Sequence, residues 1–63
     1  MTQCLIRFYG PDGAFVREET LSLDLVPASR SNAILRGVKY QVVGVDYDLD
    51  VPHVIIYLRD NGR

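Results

Sequence analysis

Three aspartates, Asp46, Asp48 and Asp50, stand at i, i+2 and i+4, the spacing with which an EF-hand calcium loop opens. Such a loop also needs a glycine at its sixth position and a bidentate glutamate at its twelfth. Val51 and Tyr57 occupy those positions, so the motif fails and no metal site is expected. On an extended strand the same spacing places all three carboxylates on one solvated face, with Val45, Tyr47 and Leu49 turned inward. His53 is the only histidine and Cys4 the only cysteine. A Cys-His pair would need an orienting group and a pocket of useful size. Cys4 instead heads an apolar row with Ile6 and Phe8, where a thiol behaves as a small hydrophobe. No catalytic residue and no cofactor is expected.

Binding chemistry is better represented. Ile55, Tyr57 and Arg59 share one parity, and Arg7 and Tyr9 share the matching parity of an earlier strand. Aromatic residues and arginine are enriched at protein interfaces and their hot spots. This set of five is the candidate partner-binding surface. The alternative is a nucleic-acid platform built from Arg7, Arg36, Lys39, Tyr57 and Arg59, on which bases would stack within a basic groove. Against it stand Glu18, Glu19 and the three aspartates, and every basic residue is isolated in sequence. Electrostatics normally supply most of that affinity.

These residues belong to a 63-residue chain with seven Lys and Arg against eight Asp and Glu. Residues 1–63 make one small domain. At this size folding buries only about 60% of the surface that the unfolded chain exposes. A core this small contributes roughly 3–5 kcal/mol, and one cysteine allows no internal disulfide. Oligomerisation is the remaining support, so a homodimer or a tight complex with another protein is expected. A net charge of −1 argues against a strongly charged nucleic-acid arm. Met1 is followed by Thr2-Gln3-Cys4 rather than a basic region and an apolar run. No apolar stretch approaches the ~20 residues of a membrane span. A cytoplasmic protein with no membrane partner is expected.

The elements that must position these side chains read as five strands. Cys4–Tyr9 alternates, with Cys4, Ile6 and Phe8 on one face. Gly10-Pro11-Asp12-Gly13 turns it back into a second strand, near Ala14 to Val26. There Leu21, Leu23 and Leu25 point inward. Arg17 and Glu19 share their parity, which predicts a bulge near Glu18-Glu19 or a strand that outruns the sheet as far as Glu19. Pro27 to Asn32 is a loop, in which Ser29 or Ser31 can cap a short turn. Ala33–Leu35 is a third strand, and Arg36-Gly37 a tight connection with Gly37 at positive φ. Val38 to Tyr47 is the fourth strand. Val38, Tyr40 and Val42 face inward, and the phase then slips to Val43, Val45 and Tyr47. Gly44 marks the slip and predicts a bulge or bend that lets the sheet roll up. His53–Arg59 is the fifth strand, with Val54, Ile56 and Leu58 inward, and Asp60–Arg63 is a frayed tail. The expected fold is all-β: a small five-stranded antiparallel barrel or rolled sheet.

The residues Ile34, Leu35, Gly37, Tyr40, Val42, Val45, Asp46, Asp48, Val54, Tyr57 and Leu58 carry a pattern. It comprises an apolar pair, a turn glycine, Tyr-x-Val-x-x-Val, an acidic connection and a closing Val-x-x-Tyr-Leu. This pattern resembles that of small SH3-like barrels, in particular short orphan proteins encoded by phages and mobile elements. It covers the last half of the chain and is a pattern of fold. The resemblance implies a non-enzymatic protein–protein interaction module that modulates a host system in the host cytoplasm. It does not extend to polyproline binding. The chain has no tryptophan, and Gly10–Gly13 replaces the long acidic loop of the peptide-binding domains.

Overall fold

A computed structural model, which describes residues 1–61, shows an all-β chain. Its strands are β1 (Thr2–Tyr9), β2 (Phe15–Leu23), β3 (Asn32–Leu35), β4 (Val38–Asp48) and β5 (His53–Asp60). They form one sheet in the order β2-β1-β5-β4-β3, curled into a half-barrel. No helix among the described residues is long and apolar enough to cross a membrane. Asp60 pairs with Tyr40 as part of β5, whereas residues 62 and 63 of the expected tail lie outside the described residues.

Three of the four pairings are antiparallel, as expected. The fourth corrects the fully antiparallel reading: β1 and β5 run parallel, with Cys4 opposite Val54, Ile6 opposite Ile56 and Phe8 opposite Leu58. A parallel pair needs a long connection, and here the chain between Gly10 and Pro52 supplies it. The core is carried by the three central strands. Cys4, Ile6 and Phe8 of β1, Tyr40 and Val42 of β4, and Val54, Ile56 and Leu58 of β5 are all buried. Phe8 meets Tyr40 edge to face at 5.4 Å. Leu21, Leu23, Val26, Ala33, Leu35 and Val45 pack against this centre without being fully covered.

The turns follow their residue chemistry. In the first hairpin Gly13 has φ of +87°, and its amide donates to the Gly10 carbonyl at 2.9 Å. In the second, Arg36 and Gly37 both lie at positive φ between the paired Leu35 and Val38, as a two-residue primed turn requires. The loop before β3 turns on Ser31, whose hydroxyl donates to the Ala28 carbonyl. It is stitched to β4 by Arg30 N–H to Val42 O at 2.7 Å and Val42 N–H to Ser31 O at 2.8 Å.

The phase slip expected in β4 is present, whereas the one expected in β2 at Glu18-Glu19 is not, and β2 carries a bulge elsewhere. In β4 the register skips Val43, so Val42 faces Leu58 and Val45 faces Ile56. Val43 is the extra residue and stays exposed, so it does not join the second apolar row. Gly44 follows it without a positive φ, and a Cβ there would meet Tyr57 only at 3.6 Å. The bend therefore does not rest on glycine's conformational freedom. In β2 the skipped residue is Val16, between the pairs Phe8–Arg17 and Tyr9–Phe15. The bulge expected at Glu18-Glu19 is absent, and β2 stays paired with β1 throughout. Arg17 and Glu19 do share the inward face with Leu21 and Leu23. Val38 and Tyr47 keep the inward parity, opposite Leu35 and Val54, but stay exposed at strand ends that the core does not reach, whereas the inward readings of Leu25 and Leu49 fail because both lie beyond the strands. Leu25 is 84% and Leu49 90% exposed.

Two glycine substitutions separate these cases. Gly37→Ala forces a Cβ into the left-handed region and is expected to cost about 1–2 kcal/mol. Gly44→Ala is expected to stay within about 0.5 kcal/mol of the parent. Thermal melts of both variants check this ordering, which a hinge built on Gly44 would reverse.

Candidate functional site

The parallel register of β1 and β5 sets Leu5 opposite Ile55, Arg7 opposite Tyr57 and Tyr9 opposite Arg59. These pairs alternate with the core pairs and therefore face outward. All five residues of the sequence-based candidate surface thus come together on one face. The Tyr9 and Tyr57 rings lie 6.3 Å apart at 30°. Arg7 donates to the Tyr9 hydroxyl at 3.1 Å and to Glu18 at 2.8 Å. Arg59 donates to the Pro11 carbonyl, which ties the first hairpin turn to β5.

Three members of this face escape a sequence reading. Phe15 is one. The Val16 bulge sets it opposite Tyr9, where the two rings meet edge to face at 5.8 Å and the Arg7 guanidinium sits 4.7 Å from the Phe15 centroid. Its 50% exposure leaves half the side chain available. Val43 is the second, exposed by its own bulge. Asp46 is the third: it accepts the Tyr57 hydroxyl at 2.9 Å. This hydrogen bond, with some burial, raises the Tyr57 phenol above its ordinary pKa. Gly44 leaves room beneath the ring, and a shallow depression of about 270 Å³ opens between Tyr9, Gly13, Val43, Gly44, Tyr57 and Arg59. Its walls are mostly apolar, so it suits an apolar side chain of a partner.

The second set of cations is not assembled. Arg7, Tyr57 and Arg59 lie together, and Lys39 points outward from β4 beside Asp60 and Asn61. Arg36 lies apart in the β3–β4 turn. Its guanidinium meets both Glu19 carboxylate oxygens, at 2.7 and 2.6 Å. Two of the three aspartate carboxylates have structural partners. Besides Asp46 on Tyr57, Asp48 accepts the Asp50 amide at 3.1 Å and the Val51 amide at 3.3 Å, shaping the β4–β5 turn. Cys4 is fully buried, and burial pushes its thiol pKa up, which disfavours the nucleophilic thiolate. His53 starts β5, half-buried.

On the inner face, Arg17 and Glu19 solve the parity problem of β2. Arg17 lies over the Phe8 ring at 4.0 Å and donates to Glu19 at 3.0 Å. Glu19 then reaches Arg36, so one carboxylate links β2 to the β3–β4 turn. An ionic cover over one end of the core replaces the leucines that cover the other. Searches of protein-family models, curated proteins and solved structures find no match to this chain.

Arg36, and after it Arg17, hold the Glu19 carboxyl below its ordinary value of 4.5. The folded state therefore favours the ionised form. That contribution is complete above the ordinary value and is lost as pH falls through the lower folded one. Glu19→Gln removes it at every pH. The melting temperatures of parent and variant are expected to differ most near neutrality and to converge as pH falls through the lowered folded value. A gap independent of pH in parallel melts would show that the charge contributes nothing.

Proposed function

We propose that this protein is a non-enzymatic interaction module that works by binding other proteins, including a second copy of itself. The contact surface is the outer row Arg7, Tyr9, Ile55, Tyr57 and Arg59, enlarged by Phe15 and Val43. One observation carries this reading: two tyrosines, a half-exposed phenylalanine and two arginines are gathered on one face around an apolar depression. Rigid aromatics and arginine are the side chains from which interface hot spots are built. The internal hydrogen bonds of Arg7, Tyr57 and Arg59 hold the row in place before binding, which lowers the entropy cost of association. A core of eight buried residues among those described makes added burial in a complex worthwhile.

A homodimer in a cytoplasmic setting is the assembly we favour. The phage-like resemblance supports a role in modulating a host system, with the host protein as the second partner. The nucleic-acid reading draws less support, because Arg36 is separated from the other cations and the Arg7 charge is matched by Glu18.

Light scattering and sedimentation over a concentration series test the assembly. Dimerisation in the micromolar range is expected, weakened at least about ten-fold by Tyr57→Ala, as a hot-spot residue implies. A parent that stays monomeric throughout, or a dimer indifferent to Tyr57→Ala, contradicts the proposal.

A further inference from the structure

The half-barrel leaves one seam open. β2 and β3 are the two edges of the sheet, and no Cα of one lies within 8 Å of a Cα of the other. Paired strands sit about 4.8 Å apart, so the seam is too wide for direct pairing, whereas one inserted strand needs roughly twice that spacing. The floor of the seam is Ile6, Ile56 and Leu58. Leu21 and Leu23 form one wall, and Ala33, Ile34 and Leu35 the other. Together with Pro27 of the β2–β3 connection they line a half-open apolar cavity of about 170 Å³. An apolar cavity of about 150 Å³ accepts a benzene ring, so this one has room for a single aliphatic side chain.

The two edges differ. β2 is defended by Arg17, Glu18, Glu19 and the Val16 bulge, devices that discourage strand addition. β3 reads Asn32-Ala33-Ile34-Leu35, without a charge, a proline or a bulge, and Ile34 is 72% exposed. The ionic cover sits at one end of the seam. Two arginines, Arg17 and Arg36, share one carboxylate there, and the Arg36 side chain remains 58% exposed. An exposed guanidinium of this kind can also take a carboxylate from outside.

We infer that the seam is a docking slot for one extended segment of a partner protein. The segment's backbone pairs with β3 as a sixth strand. A single aliphatic anchor enters the cavity, and an acidic residue two positions away, on the same face, meets Arg36. Backbone pairing supplies affinity and the anchor supplies selectivity, the division of labour in strand addition. The slot lies on the opposite face from the tyrosine row and does not depend on it.

Amide spectra recorded during titration with blocked pentapeptides test the slot. The probe is Thr-Leu-Thr-Glu-Thr, and its control carries Ser in place of Leu. Saturable shifts are expected at Asn32–Leu35 and at Leu21 and Leu23, at least about ten-fold weaker with the control because one leucine burial is lost. Ala33→Trp fills the cavity and is expected to abolish the response while keeping a dispersed spectrum. The comparison of the two peptides on the parent protein decides the matter even if that variant misfolds. The proposal is overturned by equal responses to both peptides, by no saturation up to millimolar peptide, or by shifts confined to Arg7, Tyr9 and Tyr57. It is also overturned if β3 shifts on concentrating the protein alone, which would assign that edge to a second copy.

Discussion

The parallel contact of β1 with β5 governs this molecule. Its inner face stacks Cys4, Ile6 and Phe8 against Val54, Ile56 and Leu58, six of the eight buried residues among those described. Its outer face sets Arg7 and Tyr9 beside Tyr57 and Arg59. Because side chains alternate along a strand, one register decides both faces. A slip of a single residue would empty the core and scatter the tyrosines together. Stability and candidate function therefore answer to the same ladder.

The two bulges act on the margins of that ladder. An extra residue in β2, Val16, moves Phe15 to the outside and leaves Arg17 over Phe8 on the inside. An extra residue in β4, Val43, keeps Val42 and Val45 both on the core while exposing its own side chain. Bulges re-aim side chains as well as bending strands. Here both bulges lie beside the outer row and enlarge its apolar part. Curvature from the same sheet leaves β2 and β3 apart, with Glu19 and Arg36 reaching across the opening.

Much of this was legible in the residues. The faces of β1 and β5 followed from simple alternation, and the two glycine turns from their required φ. The outer row was legible too, because its members share parity in strands that proved to be neighbours. What alternation does not contain is which strands pair, and in which direction. Backbone donors and acceptors look the same in every strand, so the parallel β1–β5 ladder could not be read from local pattern. Bulge positions were legible only where a residue looked out of place. Gly44 drew attention to the right spot, although Val43 is the extra residue. In β2 the charged pair Glu18-Glu19 drew attention to the wrong one. The phase changed earlier, at an unremarkable valine, and the inward charges Arg17 and Glu19 pair with each other and with Arg36.

Native-state hydrogen exchange of the β1 and β5 amides tests the central ladder most directly. If this pairing organises the fold, amides of Ile6, Phe8, Ile56 and Leu58 that bond across it will exchange only through global unfolding, while those of β3 open by smaller fluctuations. Exchange at the β1–β5 ladder as fast as at β3, or cross-strand proton contacts of an antiparallel pair, would contradict the account.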